Sequence, residues 1–229
     1  MSDSSVRPIG LLLSGGLDSA ILLGRMLEQG RRVQPFYIRS GLVWESAELA
    51  AVRRLLTALA TERLEPLVVL EQPLRDIYGD HWSVTGDGTP DEFSPDEAVY
   101  LPGRNLMLAM KAAVWCRLHG IDRLALAVLR GNPFSDATAA FFRNLEATLS
   151  RALGDDLRIL RPLEHLDKSQ VMRLGRDLPL GWTFSCIAPV GRLHCGRCNK
   201  CAERAEAFRI VGADDPTHYA YDAAVTTDS

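Results

Sequence analysis

The sequence predicts an α/β fold, a doubly wound, Rossmann-like parallel sheet of about five strands that passes into a cysteine-rich C-terminal segment. Three features carry this expectation. Short apolar runs alternate with helical apolar spacing, a glycine-rich turn joins the first run to the first helix, and four of the five cysteines crowd into residues 186–201. Residues 9–13 suit a buried strand, and residues 20–27 have helical spacing that stops at Gly30. Residues 33–38 read as a second strand, 45–61 as a helix with alanines and leucines on one side, and 66–70 as a third strand. Such β-α-β-α-β alternation argues for a parallel sheet with helices on both faces. Residues 73–100 scatter Gly86, Gly88, Pro90 and Pro95 among acidic side chains and read as a long loop able to order over a ligand. Helical spacing returns at 105–118, 138–153 and 168–177, with strands expected at 124–129 and 157–160. We divide the chain into a nucleotide-type domain, residues 1–180, and a metal-binding segment, residues 181–229, packed on it.

Bulk composition narrows the function. A length of 229 residues with 47% hydrophobic side chains provides a sizeable core, and a formal charge of -3 supplies no global basic field for nucleic acid. No apolar run approaches the roughly 18 residues that span a membrane, and Met1-Ser2-Asp3-Ser4-Ser5 lacks the basic and apolar regions of a signal peptide, so a cytoplasmic protein is expected.

Ser14-Gly15-Gly16-Leu17-Asp18-Ser19 lies between the first strand and the first helix. A leaving pyrophosphate carries several negative charges, and backbone N–H groups at a helix N-terminus are its natural cradle. Gly15 and Gly16 let the backbone approach, Ser14 and Ser19 add hydroxyl donors, Asp18 is placed to hold Mg2+ bridging the phosphates of ATP, and Leu17 is taken with them as part of the nucleotide-binding loop. The loop lacks the Gly-Lys-Ser/Thr end of the common P-loop and the Gly-x-Gly-x-x-Gly of dinucleotide folds. The competing reading is an ordinary glycine-rich turn.

Cys186, Cys195, Cys198 and Cys201 have spacing that closes a tetrahedral Zn2+ site, which is structural because four thiolates leave no open position. An iron–sulfur cluster and redox-active thiols are the other readings. His194 is a neighbour rather than a ligand, and Cys116, within an apolar helical pattern, is a small buried hydrophobe.

At residues 14–19 the chain resembles the PP-loop ATP-pyrophosphatase superfamily, of adenine nucleotide alpha hydrolase-like fold. The resemblance implies ATP cleavage between the α and β phosphates, AMP transfer to a substrate oxygen and displacement of AMP by a nucleophile. Further elements narrow the likeness: Tyr100-Leu101-Pro102-Gly103-Arg104-Asn105, Pro162-Leu163 followed by Lys168, and Trp182-Thr183-Phe184-Ser185-Cys186. In this order they resemble the 7-cyano-7-deazaguanine synthase (QueC-like) family of deazaguanine biosynthesis. That family converts 7-carboxy-7-deazaguanine to the nitrile with ATP and ammonia through an adenylate and an amide.

The resemblance implies that Ser14, Gly15, Gly16, Asp18 and Ser19 hold pyrophosphate and Mg2+, and that Arg104 and Lys168 bring positive charge to phosphates or carboxylate. Asn105 caps its helix or donates to the ligand. The bland readings are a surface arginine and a solvated helix lysine. Free ammonia follows from the lack of room for a glutaminase domain, and a homodimer from the family. One departure stands out. Asn132-Pro133-Phe134-Ser135-Asp136-Ala137-Thr138 occupies the place of the family's Tyr-Pro-Asp-Cys-Arg element. Phe134 can stack on a ring, and Asp136 either reads an N–H edge or caps a helix. Rival expectations are a relative that stops at an amide or conjugate, a tRNA-thiolating enzyme, and a catalytically silent zinc-binding module.

Overall fold

The computed structural model describes residues 7–221, so the Met1 to Ser5 start and the last residues of the tail lie outside it. Five parallel strands, β1 (Ile9–Leu12), β2 (Val33–Arg39), β3 (Val68–Glu71), β4 (Arg123–Ala125) and β5 (Arg158–Leu160), form one sheet in the order β3-β2-β1-β4-β5. Eight α-helices accompany them among the described residues: α1 (Leu17–Glu28), α2 (Glu45–Ala58), the single turns α3 (Arg75–Tyr78) and α4 (Trp82–Thr85), α5 (Arg104–Leu118), α6 (Ala139–Leu153), α7 (Lys168–Leu174) and α8 (Asn199–Arg209).

The pleat sends alternate strand residues to opposite faces. Ile9, Leu11, Val33 and Tyr37 pack with α1, α7 and α8 through Ile21, Met172 and Phe208. Phe36, Ile38 and Leu124 meet Ala109, Ala112 and Cys116 of α5 and Phe142 of α6 on the other face. Gly10 permits that second contact, because a Cβ there would lie 2.9 Å from both Cys116 Sγ and Phe36 Cε2. Cys116 is fully buried, and burial pushes its thiol up to about 12.

Four expectations meet a different local structure. Ladder pairing of β4 ends at Ala125, followed by one further bond from Leu126 N–H to Leu160 O (2.9 Å). Past Leu160 the chain turns at Pro162, which has no N–H to donate. The helix expected at 168–177 stops at Gly175, where a Cβ would lie 2.4 Å from Ile21 Cγ1 and α7 presses on α1. Residues 73–100 are not one open loop. They hold α3, α4 and a 3-10 turn (Asp96–Val99); His81 caps α4 by accepting from Ser83 N–H, and Gly86 ends it at positive φ. The cysteine segment contains α8, whose start Cys198 caps from extended backbone.

Candidate active site

In an open sheet of this order, β1 and β4 flank the point where connections run off in opposite directions, which leaves a crevice at the strands' carboxyl ends. The loop after β1 lines a cavity there of about 340 Å³, with Leu126, Ala127 and Val128 after β4 forming another wall. Ser14, Gly16, Leu17, Asp18 and Ser19 face it. Gly15 stands behind them at φ +82, where a Cβ would lie 2.8 Å from Val52 Cγ2. Ser14 and Ser19 hydroxyls are 3.2 Å apart, and no side chain caps α1, whose first N–H groups are therefore open to an anion. Phe184 N–H donates to Gly15 O (2.7 Å), tying the loop to the approach to the cysteines.

Lys168 and Asp18 are 150 positions apart in the chain, yet Lys168 Nζ donates to both Asp18 oxygens at 2.9 and 2.8 Å. The cap of α7 sets this geometry: Asp167 Oδ1 accepts from Gln170 N–H, Gln170 Oε1 accepts from Asp167 N–H, and Lys168 falls at the first helical position. From α8, Glu203 reaches Lys168 at 3.2 Å and also pairs with Lys200. Burial disfavours the Lys168 charge, but Asp18 and Glu203 outweigh it and hold its pKa above the ordinary value. Burial likewise opposes the Glu203 charge, and the two lysines hold its carboxyl down at about 2. The result is an alternating chain of charges beside the phosphate loop.

The lining also carries aromatic side chains: Trp44 stacks on Trp82 at 5.8 Å between centroids, and Phe134 stacks at 5.1 Å on Tyr100, which lies outside the lining. Arg104 and Asn105, at the start of α5, line the same cavity. Arg104 Nε is buried without a hydrogen-bond partner among the described residues. A buried guanidinium N–H in that condition is an open donor for a ligand oxygen.

Asp136 sits elsewhere. It is buried and is not part of the cavity lining; its Oδ2 accepts from Asn105 N–H (2.9 Å) and its Oδ1 from Asn105 Nδ2 (3.3 Å). It thus caps α5 from another segment, while Thr138 caps α6. Of the two sequence readings, the geometry favours the cap.

Sequence reasoning passed over Trp44, Trp82, Lys200, Glu203 and Glu48. Glu48 had a readable signal, since it falls on the buried stripe of α2 with Ala51, Val52 and Leu55. Its Oε2 accepts from Tyr37 Oη (2.6 Å), and burial raises its carboxyl from 4.5 to about 7 against the opposing pull of Arg104 and the Tyr37 hydrogen bond.

The four cysteines converge, with all four Sγ atoms within 4.8 Å of one another. Two pairs, Cys186–Cys198 and Cys195–Cys201, stand at 3.8 Å, which is about the edge of a tetrahedron of ~2.3 Å Zn–S bonds. Ala188 and Cys195 N–H point at Cys186 Sγ, Gly196 N–H at Cys201 Sγ and Arg197 N–H at Cys195 Sγ. That donor set suits thiolates on a cation, so the residues fit Zn2+. His194 is buried, its Nε2 accepts from Ser185 N–H, and burial together with the Arg204 cation holds the ring neutral, with its pKa down to about 4.

Fold and loop together define a PP-loop, adenine nucleotide alpha hydrolase-like protein. A family profile described as "Queuosine biosynthesis protein QueC" matches residues 9–212, and the chain belongs to that family. It is 32% identical over 227 residues to the 7-cyano-7-deazaguanine synthase of Xanthomonas oryzae pv. oryzae (strain PXO99A), covering 92% of this chain and 96% of that one. It is 29% identical to the enzyme of the same name from Chlorobium phaeobacteroides (strain BS1), covering 91% and 95%. Among solved structures, a predicted subunit of tRNA methyltransferase from Methanocaldococcus jannaschii matches with TM-score 0.50 at 13% identity, covering 75% of each chain. A 4-thiouridine synthetase solved with RNA and bound ATP matches with TM-score 0.50 at 16% identity, covering 90% of this chain and 50% of that one. Both are likenesses of fold.

Proposed function

We propose that the chain is an ATP-dependent carbon–nitrogen ligase that adenylates the carboxylate of 7-carboxy-7-deazaguanine and, with ammonia, carries it through the amide to 7-cyano-7-deazaguanine. The observation that carries this reading is a single cavity lined both by phosphate-loop donors and by the aromatic side chains of Trp44, Trp82 and Phe134. In this reading Ser14, Ser19 and the open N–H groups of α1 hold pyrophosphate. Lys168 neutralises phosphate charge, Arg104 donates its unpartnered Nε–H to the acid or the α-phosphate, and Phe134 and Trp82 flank the planar ring. Asp18 would hold Mg2+, which supplies charge neutralisation on the phosphates. Cys186, Cys195, Cys198 and Cys201 would hold a structural Zn2+ that fixes the segment carrying Lys200 and Glu203. Two rivals lose support. The only thiol outside the cluster, Cys116, is sealed beneath Gly10, which disfavours thiol-mediated sulfur transfer, and a silent module has no use for the Asp18–Lys168 pair.

Residues 132–138 favour a second reading, an enzyme that stops at the amide or a conjugate, because they lack the arginine of the family's element. Mass spectrometry of products after incubation with ATP, magnesium, ammonium and 7-carboxy-7-deazaguanine separates the two. A nitrile supports the first and an amide alone the second, while no product from this acid overturns both. The same reading takes free ammonia as nitrogen source and a homodimer as the working form.

A further inference from the structure

Glu48 has no part in the roles above, although it lines the same cavity. It lies against the phosphate loop: its Cγ would be 3.7 Å from a Cβ placed on Gly15. One oxygen is occupied by Tyr37 Oη, and Oε1 has no hydrogen-bond partner among the described residues. Titratable groups face it from the packed elements, the neutral Tyr37 phenol from β2, the Arg104 cation from α5 and Glu45 from its own helix, yet none forms an ion pair with it among the described residues. A partly buried carboxylate without a paired cation pays part of the desolvation penalty, and a cationic ligand would relieve it.

We infer that Glu48 is the general base that captures ammonium in the cavity and removes its proton, so that ammonia attacks the acyl adenylate. This rests on the ligase reading. Ammonium has no lone pair and cannot attack carbon. Glu48 Oε1 takes one N–H proton, the freed nitrogen pair forms the C–N bond, and the C–O bond to AMP breaks with its electron pair leaving on the phosphate oxygen. The adduct loses its second N–H proton to water, Glu48 later returns its own, and nothing is oxidised or reduced. A carboxyl that titrates near the working pH is matched to this task. Reading an N–H edge of the ring is the competing role.

Glu48→Gln keeps the size and the Tyr37 contact, and separates these roles when three rates are measured on protein of unchanged melting temperature. Acid-dependent exchange of pyrophosphate into ATP should survive within a few-fold, while amide formation from ammonium falls about 100-fold or more. Hydroxylamine, already unprotonated at neutral pH, should restore acyl transfer. Loss of exchange in the variant with exchange intact in the parent would assign Glu48 to substrate binding and overturn the inference. So would equal losses with ammonium and hydroxylamine. Absence of exchange in the parent overturns the ligase reading, and the inference with it. Tyr37→Phe gives a second check. Removing the donor that favours the Glu48 carboxylate should shift the inflection of the ammonium-dependent rate to higher pH, and leave the hydroxylamine rate flat; an unmoved inflection contradicts the assignment.

Discussion

Lys168 shows how a single side chain joins distant parts of the chain. It is partly buried between a carboxylate from the phosphate loop and one from the helix that follows the cysteines. Burial alone would lower the pKa of an ammonium there, and the two acids reverse that tendency. The pair also keeps Asp18 turned into the cavity before any ligand arrives. Replacing Lys168 with Met should lower turnover by about 100-fold, as loss of one preorganised electrostatic donor does. Steady-state ATP consumption measures it, and near-normal turnover would show that Lys168 serves only as counter-ion to Asp18.

At the scale of elements, α5 presents Arg104 to the cavity only because its N-terminus is held from outside. Gly103, at φ +72, turns the chain into the helix, and no local side chain caps it. Asp136 supplies the missing acceptor across 31 positions, linking the segment after β4 to α5. Asp136→Ala strands the Asn105 N–H and should cost about 1–3 kcal/mol. For a chain of this size that lowers the melting temperature by roughly 2–4 °C per kcal/mol. The Michaelis constant for the acid or ATP should rise with it as Arg104 loses its fixed start, whereas Asp136→Asn, still an acceptor, should recover part of both. Thermal unfolding and kinetics test this, and an unchanged melting temperature would dismiss the cap.

At the scale of the molecule, the cysteine segment is continuous with the core rather than hung from it. Cys186, Cys195, Cys198 and Cys201 are buried with Leu42, Trp44, Ala51 and Leu101, and Phe208 of α8 packs with Leu11 and Leu23. Among the described residues no helix is long and apolar enough to cross a membrane. Metal removal should therefore be felt at the cavity as well as at the thiols. Purified protein should carry about one zinc per chain by elemental analysis. Chelation under mild denaturation should release it together with four reactive thiols, and abolish ATP-dependent activity while α8 loosens. A visible charge-transfer absorption with iron in place of zinc would replace the zinc assignment.

The strand–loop–helix start, the parallel class and the convergence of the cysteines were written in the sequence because each depends on local pattern. Period-two and period-3.6 apolar spacing, glycines within one turn, and thiols a few residues apart need no knowledge of distant neighbours. Glu48, an acid on an apolar stripe, had a local signal but was not read from it. The strand order, the meeting of Asp18 with Lys168 and Glu203, the capping of Asn105 by Asp136 and the stack of Trp44 on Trp82 were decided only by the tertiary structure. Those contacts join residues 31 to 150 positions apart, and whether a carboxylate caps, pairs or stays free depends on which partner the packed core delivers to it.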